Sequence, residues 1–333
     1  MRVLHIPYGY PMIALCDALK RKGVEAVSCH FQGHPFHFEP DVCLQLQNTH
    51  RDTHRSRIAD YLREAIQQFD VFHFHFGESF FQDRSDLELI RAAGKKMVVH
   101  HHGSDIRKAS LAQRNNPYVK IKPEWTEEKI ENNTKKLAEY IDHAFVQDYE
   151  LKGYIQNTYP HVHVVPHTLD TDLLSPNYPS AKKRPLIVHA PTSRVLKGTA
   201  VVMETMEKLK QAGFDFDFQL LEGSTHADTK KRLAQADIVI DQLLIGAPGY
   251  LSTEAMALGK PVICFIRSDV RDHYPDDFPI VNANPDTLAK ELEKLLLAPD
   301  SWKELGVAGR DYVVRHHHPD VVANRYIQVY ESL

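Results

Sequence analysis

The sequence predicts an α/β protein made of two successive domains, each built around a doubly wound parallel sheet. Three observations lead to this fold class. The chain has 333 residues, which is more than one hydrophobic core usually supports. Short apolar runs alternate with amphipathic stretches along the chain, as is typical of α/β units. The alternation breaks at residues 177–185 (NYPSAKKRP), a proline-rich, charged stretch that indicates an interdomain linker.

The predicted first domain covers residues 1–176. Parallel strands are buried on both faces, so near-continuous apolar runs identify them. These runs predict strands at Arg2–Pro7, Val24–Cys29, Asp70–Phe76, Lys96–His102, His143–Gln147 and Val162–Pro166, with helices at Met12–Lys22 and Arg55–Gln68.

The predicted second domain covers residues 186–315. The same criteria predict strands at Leu186–Ala190, Phe216–Leu221, Ile238–Asp241, Val262–Ile266 and Pro279–Val281, and helices at Thr199–Ala212, Ser252–Leu258 and Pro285–Leu297. Ligands of open parallel sheets bind beyond the carboxyl ends of the strands. We therefore expect a binding site in a cleft between the two domains.

Composition narrows the functional classes. The net charge of −4 is spread along the chain, which argues against nucleic acid as the main partner. The basic run at residues 20–22 is either a solvated helix end or a contact with an anionic membrane surface. The four scattered cysteines, and the lack of a signal peptide or of an apolar run near ~18 residues, favour a soluble cytoplasmic protein. Peripheral contact with the inner face of the membrane stays open, as does the oligomeric state.

The segment Ile245–Val262 (IGAPGYLSTEAMALGKPV) is the most informative one. Its glycines precede a short helix that is predicted to begin near Leu251 or Ser252. A helix start behind a glycine-rich loop offers backbone N–H groups to phosphate, here those of Gly249, Tyr250, Leu251 and Ser252. Glu254, predicted in the first turn, either accepts hydrogen bonds from a ribose or only complements the helix dipole.

The stretch EAMALGKPV resembles the signature helix of the family-4 retaining glycosyltransferases, which have the GT-B fold of two Rossmann-like domains facing across a cleft. The resemblance implies a hexosyltransferase-type enzyme that transfers a sugar from a nucleotide diphosphate sugar to an acceptor with retention of configuration, without metal or other cofactor. It assigns Glu254 to the donor ribose. The acceptor is a saccharide, a lipid-linked sugar or a small molecule.

Val188–Lys197 (VHAPTSRVLK) resembles the family segment in which an arginine and a lysine hold the donor diphosphate. Arg194 and Lys197 match those residues. Two fixed cations would neutralise the charge that develops on the leaving group. The alternative is a surface pair of cations at a helix start, where the helix dipole disfavours them.

Two stretches of the first half also resemble the family. In MVVHHHGSD (Met97–Asp105), His102 matches the histidine near the transferred sugar, and Asp105 is expected at the acceptor. In PYGYPMIAL (Pro7–Leu15), Gly9 matches a turn that approaches the donor phosphates, and Tyr8 and Tyr10 are candidates for the acceptor site. The alternatives are a polar strand end for the histidines and an ordinary turn for the glycine.

The likeness extends over most of the chain. VVPHTLDTDLLSP (Val164–Pro176) and AGRDYVVRHHHPDVVANRYIQVY (Ala308–Tyr330) resemble the family's interdomain crossing and its closing helices. The resemblance implies that residues 316–333 return to the N-terminal domain.

The sequence also departs from the family pattern. The carboxylate expected seven residues before Glu254 is replaced by Gly246, so contact with the donor sugar is assigned to backbone groups, Asp241 or Gln242. The segment at residues 221–237 is shorter than the corresponding segment of the family, so the identity of the donor base is left open. These departures keep two alternatives in view, namely a nucleotide-sugar epimerase of the same fold and a catalytically silent partner that binds nucleotide sugars.

Histidine triplets occur at residues 100–102 and 316–318, and HFH occurs at residues 73–75. Histidines bind metals when neutral imidazoles converge at fixed geometry. The transfer chemistry of the resembled family needs no metal, so no metal site is predicted.

Overall fold

The computed structural model describes residues 1–7, 9–34 and 38–333. These residues divide into two compact units. Unit 1 comprises residues 1–108, 123–168 and 319–333, and unit 2 comprises residues 109–122 and 169–318. Residues 316–318 of the predicted returning segment therefore belong to unit 2, and residues 109–122, expected in the first domain, also fall within it.

Unit 1 is built on a seven-stranded parallel sheet of order β3-β2-β1-β4-β5-β6-β7. Its strands are β1 (Arg2–Ile6), β2 (Glu25–His30), β3 (Val42–Cys43), β4 (Val71–His75), β5 (Lys96–His100), β6 (His143–Val146) and β7 (His161–Val164). The strand order reverses between β1 and β4, and such switch points are where ligands of doubly wound sheets bind.

The helices of unit 1 are α1 (Tyr10–Arg21), α2 (His54–Gln68), α3 (Ser85–Ala92), α5 (Glu127–Ala138), α6 (Tyr149–Ile155) and the last helix of the chain, α14 (Pro319–Glu331). Helix α4 (Ala109–Asn115) belongs to unit 2. α14 packs on α1, and its apolar face joins the core formed by β1, α1 and β4. Buried side chains from α14 in this core include Val322, Ala323 and Tyr326.

Unit 2 is built on a five-stranded sheet of order β12-β11-β10-β8-β9. Its strands are β8 (Leu186–His189), β9 (Asp217–Leu220), β10 (Ile238–Ile240), β11 (Val262–Cys264) and β12 (Ile280–Asn282). All pairs are parallel, and the switch point lies between β8 and β10.

The remaining helices of unit 2 are α7 (Arg194–Lys197), α8 (Thr199–Gln211), α9 (His226–Gln235), α10 (Tyr250–Ala257), α11 (Ser268–Arg271), α12 (Leu288–Leu297) and α13 (Ser301–His317). Two apolar cores fill the space between this sheet and its helices. No helix in the described part of the chain is long and apolar enough to cross a membrane.

The strands predicted from sequence are all present, with bounds that agree within about two residues. The predicted linker at residues 177–185 lies within unit 2, because the chain passes from unit 1 to unit 2 at residues 168–169. The Asn177 N–H donates to the Leu258 carbonyl at 2.9 Å, and Lys182 pairs with Asp237 at 2.6 Å. The basic run at residues 20–22 is partly neutralised, because Lys20 pairs with Asp41 and Lys22 with Asp320.

Candidate functional site

The predicted donor residues of unit 2 gather at its switch point. Arg194 and Lys197 form the first and last residues of the one-turn helix α7, in the connection after β8. Asp241 directly follows β10, and Glu254 lies on α10. Because β8 and β10 are neighbours in a parallel sheet, their connections leave the same edge, which brings these distant stretches together.

Lys197 and Asp241 form the centre of the site. The Lys197 Nζ lies 3.0 Å from Asp241 Oδ1 and 2.7 Å from the Gln242 side-chain oxygen. Asp241 is fully buried. Burial alone would raise the pKa of Asp241, but the Lys197 ammonium and the Ser252 hydroxyl outweigh it and hold this pKa below the usual value. The buried carboxylate is therefore ionised and paired.

The start of α10 is occupied by an anion from the protein itself. Asp241 Oδ2 accepts hydrogen bonds from the Gly249 N–H at 3.0 Å, the Ser252 N–H at 3.3 Å and the Ser252 hydroxyl at 2.7 Å. A Cβ at Gly249 would lie 2.6 Å from Asp241 Oδ2 and 2.8 Å from Lys197 Nζ. Glycine at this position thus permits the close approach of the lysine and the carboxylate to the helix start.

Glu254 differs from the prediction in its place on the helix. α10 begins at Tyr250, so Glu254 lies beyond the first turn and no acidic residue occupies that turn. Glu254 is 4% exposed, and its Oε1 lies 2.5 Å from His226 Nε2 at the start of α9. Glu254 therefore pairs with His226 and does not complement the dipole of α10 from its first turn. His226 was not predicted from sequence, because nothing local connects it with Glu254.

Arg194 is exposed, with 62% of its side chain accessible. Its guanidinium makes a bidentate ion pair with Glu222, which follows β9, and the Nε–Oε1 distance is 2.7 Å. Tyr250 and Leu251 are half-buried at the start of α10. The two predicted cations therefore both have carboxylate partners in the structure.

Gly246, which stands where the resembled family has a carboxylate, has a structural role. Its φ of 89° is in the left-handed region, and a Cβ there would lie 2.3 Å from Arg267 Cγ. The Arg267 N–H also donates to the Gly246 carbonyl at 2.9 Å. Arg267 therefore fills the space that a side chain at position 246 would need.

In unit 1, Gly9 follows β1 and is the N-cap residue of α1. Its φ of 109° requires glycine, and its N–H donates to His30 Nε2 at 3.2 Å. The ring of Tyr10 lies 5.0 Å from that of Phe38. Tyr8 lies outside the described residues.

His102 lies in the loop after β5, two residues beyond the observed strand end. Its ring stacks on Phe76 and on His167, with centroid distances of 4.5 and 5.6 Å, and its Nε2 is 3.1 Å from His75 Nδ1. Burial, reinforced by neighbouring histidines, lowers the pKa of His102 well below its usual value. The ring is therefore a neutral hydrogen-bonding group.

Asp105 supports this loop. Its Oδ1 accepts the N–H groups of His102 at 3.0 Å and Gly103 at 2.8 Å, and its Oδ2 lies 2.7 Å from His101 Nδ1. Both the His101 and Asp105 side chains are fully buried. The structure thus gives Asp105 a positioning role for His102, in place of the predicted contact with the acceptor.

A cavity of about 650 Å³ opens beside Phe76 in unit 1. Phe76 and Arg84, which both line it, have φ values of 58° and 61°, a strained region for residues other than glycine and one that is enriched at functional sites. Aromatic rings, amides and cations line the cavity: Phe31, Phe76, Phe80, Trp125, Asn132, Asn133, Arg84, Lys129 and Lys136. Sequence analysis did not find this cavity, because its lining comes from distant segments.

The remaining histidine stretches lie in different units. His318 lies in unit 2, 3.3 Å from Asp172. The HFH stretch and His100–His102 lie in unit 1, which also holds the groups of histidines close enough together to bind a metal ion.

No protein-family model matches the chain, and no curated protein sequence matches it. Solved structures match its fold along nearly the full length. Sucrose-phosphate synthase from Thermosynechococcus elongatus superposes with a TM-score of 0.66 at 14% identity, covering 99% of this chain and 98% of that chain. Anabaena HepE in complex with UDP-glucose gives 0.66 at 12% identity, covering 99% of both chains.

A protein of Listeria monocytogenes described as a UDP-N-acetylglucosamine 2-epimerase superposes with a TM-score of 0.59 at 15% identity, covering 100% of this chain and 96% of that chain. The first two structures have the GT-B fold. With its two parallel sheets of seven and five strands, the present chain has the GT-B fold as well.

Proposed function

We propose that this protein is a glycosyltransferase that moves a sugar from a nucleoside diphosphate sugar to an acceptor, with retention of anomeric configuration and without a metal in the transfer step. One observation carries the proposal. Arg194 and Lys197 on α7 and Glu254 on α10 come from two distant stretches of sequence. At the switch point of unit 2, Lys197 pairs with Asp241, which accepts hydrogen bonds from the start of α10.

The donor diphosphate binds at the start of α10 and exchanges partners with the protein. Its oxygens accept hydrogen bonds from the Gly249 and Ser252 N–H groups, which donate to Asp241 in the structure. The Lys197 ammonium then pairs with the diphosphate. Arg194 leaves Glu222 for the diphosphate. A helix start and two cations stabilise an anion whose negative charge increases as the sugar leaves.

Glu254 binds the donor ribose through its carboxylate. In the structure this carboxylate is held by His226, so a ribose hydroxyl joins or replaces the His226 ring as its partner. The HepE structures hold UDP and UDP-glucose, which supports a uridine nucleotide as the first probe. Asp241 and Gln242 remain the side chains proposed nearest the donor sugar.

The acceptor is a saccharide that binds to unit 1. The ring of Phe76 contacts His102 on one side and lines the 650 Å³ cavity on the other. Aromatic faces and amides are the groups that pack against and hydrogen-bond sugar rings. Tyr10 and Gly9, at the start of α1, complete the proposed contacts of this unit, and His102 hydrogen-bonds the transferred sugar.

The transfer step needs no protein base. The bond from the anomeric carbon to the donor phosphate breaks while the bond to the acceptor oxygen forms on the same face. The acceptor proton passes to the departing phosphate oxygen, so atoms and charges balance. Arg194 and Lys197 stabilise the nucleoside diphosphate as it leaves.

Epimerisation of a nucleotide sugar is the second candidate, and the likeness to the Listeria protein favours it. The two reactions differ in product. A transferase gives a new glycoside together with nucleoside diphosphate, whereas an epimerase gives an altered sugar without consuming an acceptor. A silent binding partner gives neither product.

A thermal-shift screen against nucleoside diphosphates and their sugars tests the donor site. At a hundredfold excess over its dissociation constant, a ligand adds about 2.7 kcal/mol of stability, which raises the melting temperature visibly. Arg194→Ala and Glu254→Ala should abolish the shift. Arg184→Ala is the matched control, because Arg184 is 60% exposed and likewise paired with a carboxylate, that of Asp217, yet lies outside the site.

A shift that the control keeps and both site variants lose supports the donor site, and product analysis with saccharide acceptors then separates transfer from epimerisation. Folded protein that shows no shift with any nucleotide contradicts the proposed function.

A further inference from the structure

One face of the unit 1 sheet carries histidines where aliphatic side chains are usual. His5 on β1 pairs in register with His73 on β4, and His75 on β4 pairs with His100 on β5. Paired residues of parallel strands project from the same face, as do residues two apart on one strand. The His5 and His73 rings lie 4.6 Å apart, and those of His73 and His75 stack at 4.4 Å. These rings lie at the switch point between β1 and β4.

The rings are buried in the core. His5 and His73 are inaccessible, and His75 is 1% exposed. Buried polar atoms nearly always have a hydrogen-bond partner, and each exception calls for an explanation such as an ion. His73 Nε2 is buried, with no hydrogen-bond partner among the described residues.

The second nitrogens of His73 and His75 have partners outside the group of three rings. His73 Nδ1 lies 2.6 Å from the Tyr330 hydroxyl of α14. When His73 Nδ1–H donates to this oxygen, the lone pair of Nε2 is free to bind a ligand. A hydrogen-bonded second nitrogen is the usual outer partner of a metal-binding histidine, where it fixes the tautomer and the ring orientation.

The nitrogens of the three rings lie close together. One nitrogen from each of His5, His73 and His75 lies within 4.8 Å of the others. His5 Nδ1 and His75 Nε2 share a hydrogen bond of 3.2 Å, and an ion would replace it. This distance is close to the roughly 3.3 Å that separates two nitrogens on a tetrahedral ion with metal–nitrogen bonds of 2.0–2.1 Å.

We propose that His5, His73 and His75 bind one first-row divalent transition metal ion, such as Zn²⁺, in the core of unit 1. The group consists of imidazoles only, a ligand set that suits Zn²⁺, Cu²⁺ or Ni²⁺ and does not suit Mg²⁺ or Ca²⁺. The site is structural, because it joins β1 to β4 before the loops that follow these strands. It lies in unit 1, whereas the proposed donor residues lie in unit 2.

The ion also fixes the orientation of His102. With His75 Nε2 on the metal, His75 Nδ1 carries the proton and donates to His102 Nε2, which lies 3.1 Å away. His102 then presents its Nδ1–H to a ligand. The metal site is thus a positioning device for the candidate residue of the acceptor unit.

Metal analysis of the untagged full chain tests the proposal. Protein refolded with ZnCl₂ and passed through metal-free buffer should keep about one equivalent of zinc, as a three-histidine site with slow release predicts. His73→Gln should lose it. His163→Gln is the matched control, because His163 lies on the same sheet, 3.0 Å from His143, and outside the group.

Two further measurements cover the case in which His73→Gln does not fold. Tyr330→Phe removes only the hydroxyl beside His73 and should weaken zinc binding by about 10–100-fold. Wild-type protein loaded with Co²⁺ should show the strong visible bands of a four-coordinate site in which three ligands are imidazole nitrogens.

Folded wild-type protein that retains no zinc overturns the proposal, and so does His73→Gln that retains as much as wild type. A second group, His75, His100 and His102, also brings its nitrogens within 4.8 Å. Loss of zinc from His100→Gln with retention by His73→Gln would assign the ion to that group and likewise overturn the proposal.

Discussion

Gly246 illustrates how one residue can serve structure where relatives of the resembled family use a carboxylate. Its left-handed φ and the 2.3 Å approach to Arg267 Cγ both exclude a side chain. A substitution at this position therefore costs stability and cannot restore a sugar-binding acid.

We predict that Gly246→Ala lowers the free energy of unfolding by about 1–3 kcal/mol, from backbone strain and overpacking together. Gly213→Ala is the matched control, because Gly213 has a φ of 91° but nothing within 4 Å of its Cβ position. Urea denaturation measures both, and the difference isolates the clash with Arg267. Equal losses in the two variants would show that the clash relaxes without cost.

Asp241 links the proposed donor site to acid stability. Its pKa is below the usual value in the folded protein, so on acidification the unfolded chain binds this proton first. Stability from Asp241 is thus fully present above the unfolded pKa of about 3.9 and is lost as pH falls through the folded pKa.

We predict that the unfolding free energy of wild-type protein falls below about pH 4 and that Asp241→Asn flattens this fall. Denaturant titrations at a series of pH values measure it. Asp217→Asn, at the exposed ion pair with Arg184, should keep the wild-type slope. An Asp241→Asn slope equal to wild type would mean that other carboxylates govern acid unfolding.

At the scale of elements, α14 completes the core of unit 1. Tyr326 is 1% exposed, and its hydroxyl lies 3.2 Å from His100 Nδ1. The ring of Tyr326 lies 4.6 Å from that of Phe145 on β6. The last helix of the chain therefore reaches the centre of a sheet whose first strand is β1.

We predict that Tyr326→Ala destabilises the protein by about 3–5 kcal/mol, as expected for loss of a large buried aromatic side chain. Asn324→Ala, on the exposed side of the same helix, should stay within about 0.5 kcal/mol of wild type. Denaturant unfolding followed by tyrosine and tryptophan fluorescence provides the measurement. Similar values for the two variants would contradict a core role for α14.

The elements found from sequence are those with a simple apolar pattern. Apolar runs located every strand except the two-residue β3, and α8 and α12 followed from their periodicity. Helices such as α5 and α6 were not predicted, because buried polar residues interrupt their apolar faces. Thr134 in α5 bonds to its own helix, and Glu150 in α6 is buried against Arg107.

In the candidate site, too, the residues found from sequence are those that lie in a local pattern. Motifs located Arg194, Lys197 and Glu254, because each lies within a recognisable stretch. Their partners Glu222, Asp241 and His226 are distant in sequence, and only folding reveals the pairs.

At the scale of the whole molecule, the proposal assigns donor binding to unit 2. The donor residues lie in residues 190–198 and 241–257, whereas α6, β7 and α14 belong to unit 1. Ligand binding slows amide exchange through the openings that it suppresses. The location of protection therefore reports where the nucleotide binds.

We predict that saturating nucleoside diphosphate slows hydrogen exchange in residues 190–198 and 241–257 by up to about 100-fold and leaves residues 149–164 and 319–331 unchanged. Exchange followed by mass spectrometry checks this, with Arg194→Ala as the variant that should lose the protection. Protection spread evenly over both units would contradict a site confined to the switch point of unit 2.

The division of the chain also sets the order in which a ribosome can deliver each unit. Unit 2 is complete once His318 has emerged, whereas unit 1 needs residues from both ends of the chain. Until α14 emerges, the apolar surfaces of β1 and α1 lack Val322, Ala323 and Tyr326. Synthesis therefore leaves the core around β1 and α1 incomplete until α14 has emerged, and unit 2 is the unit able to fold first.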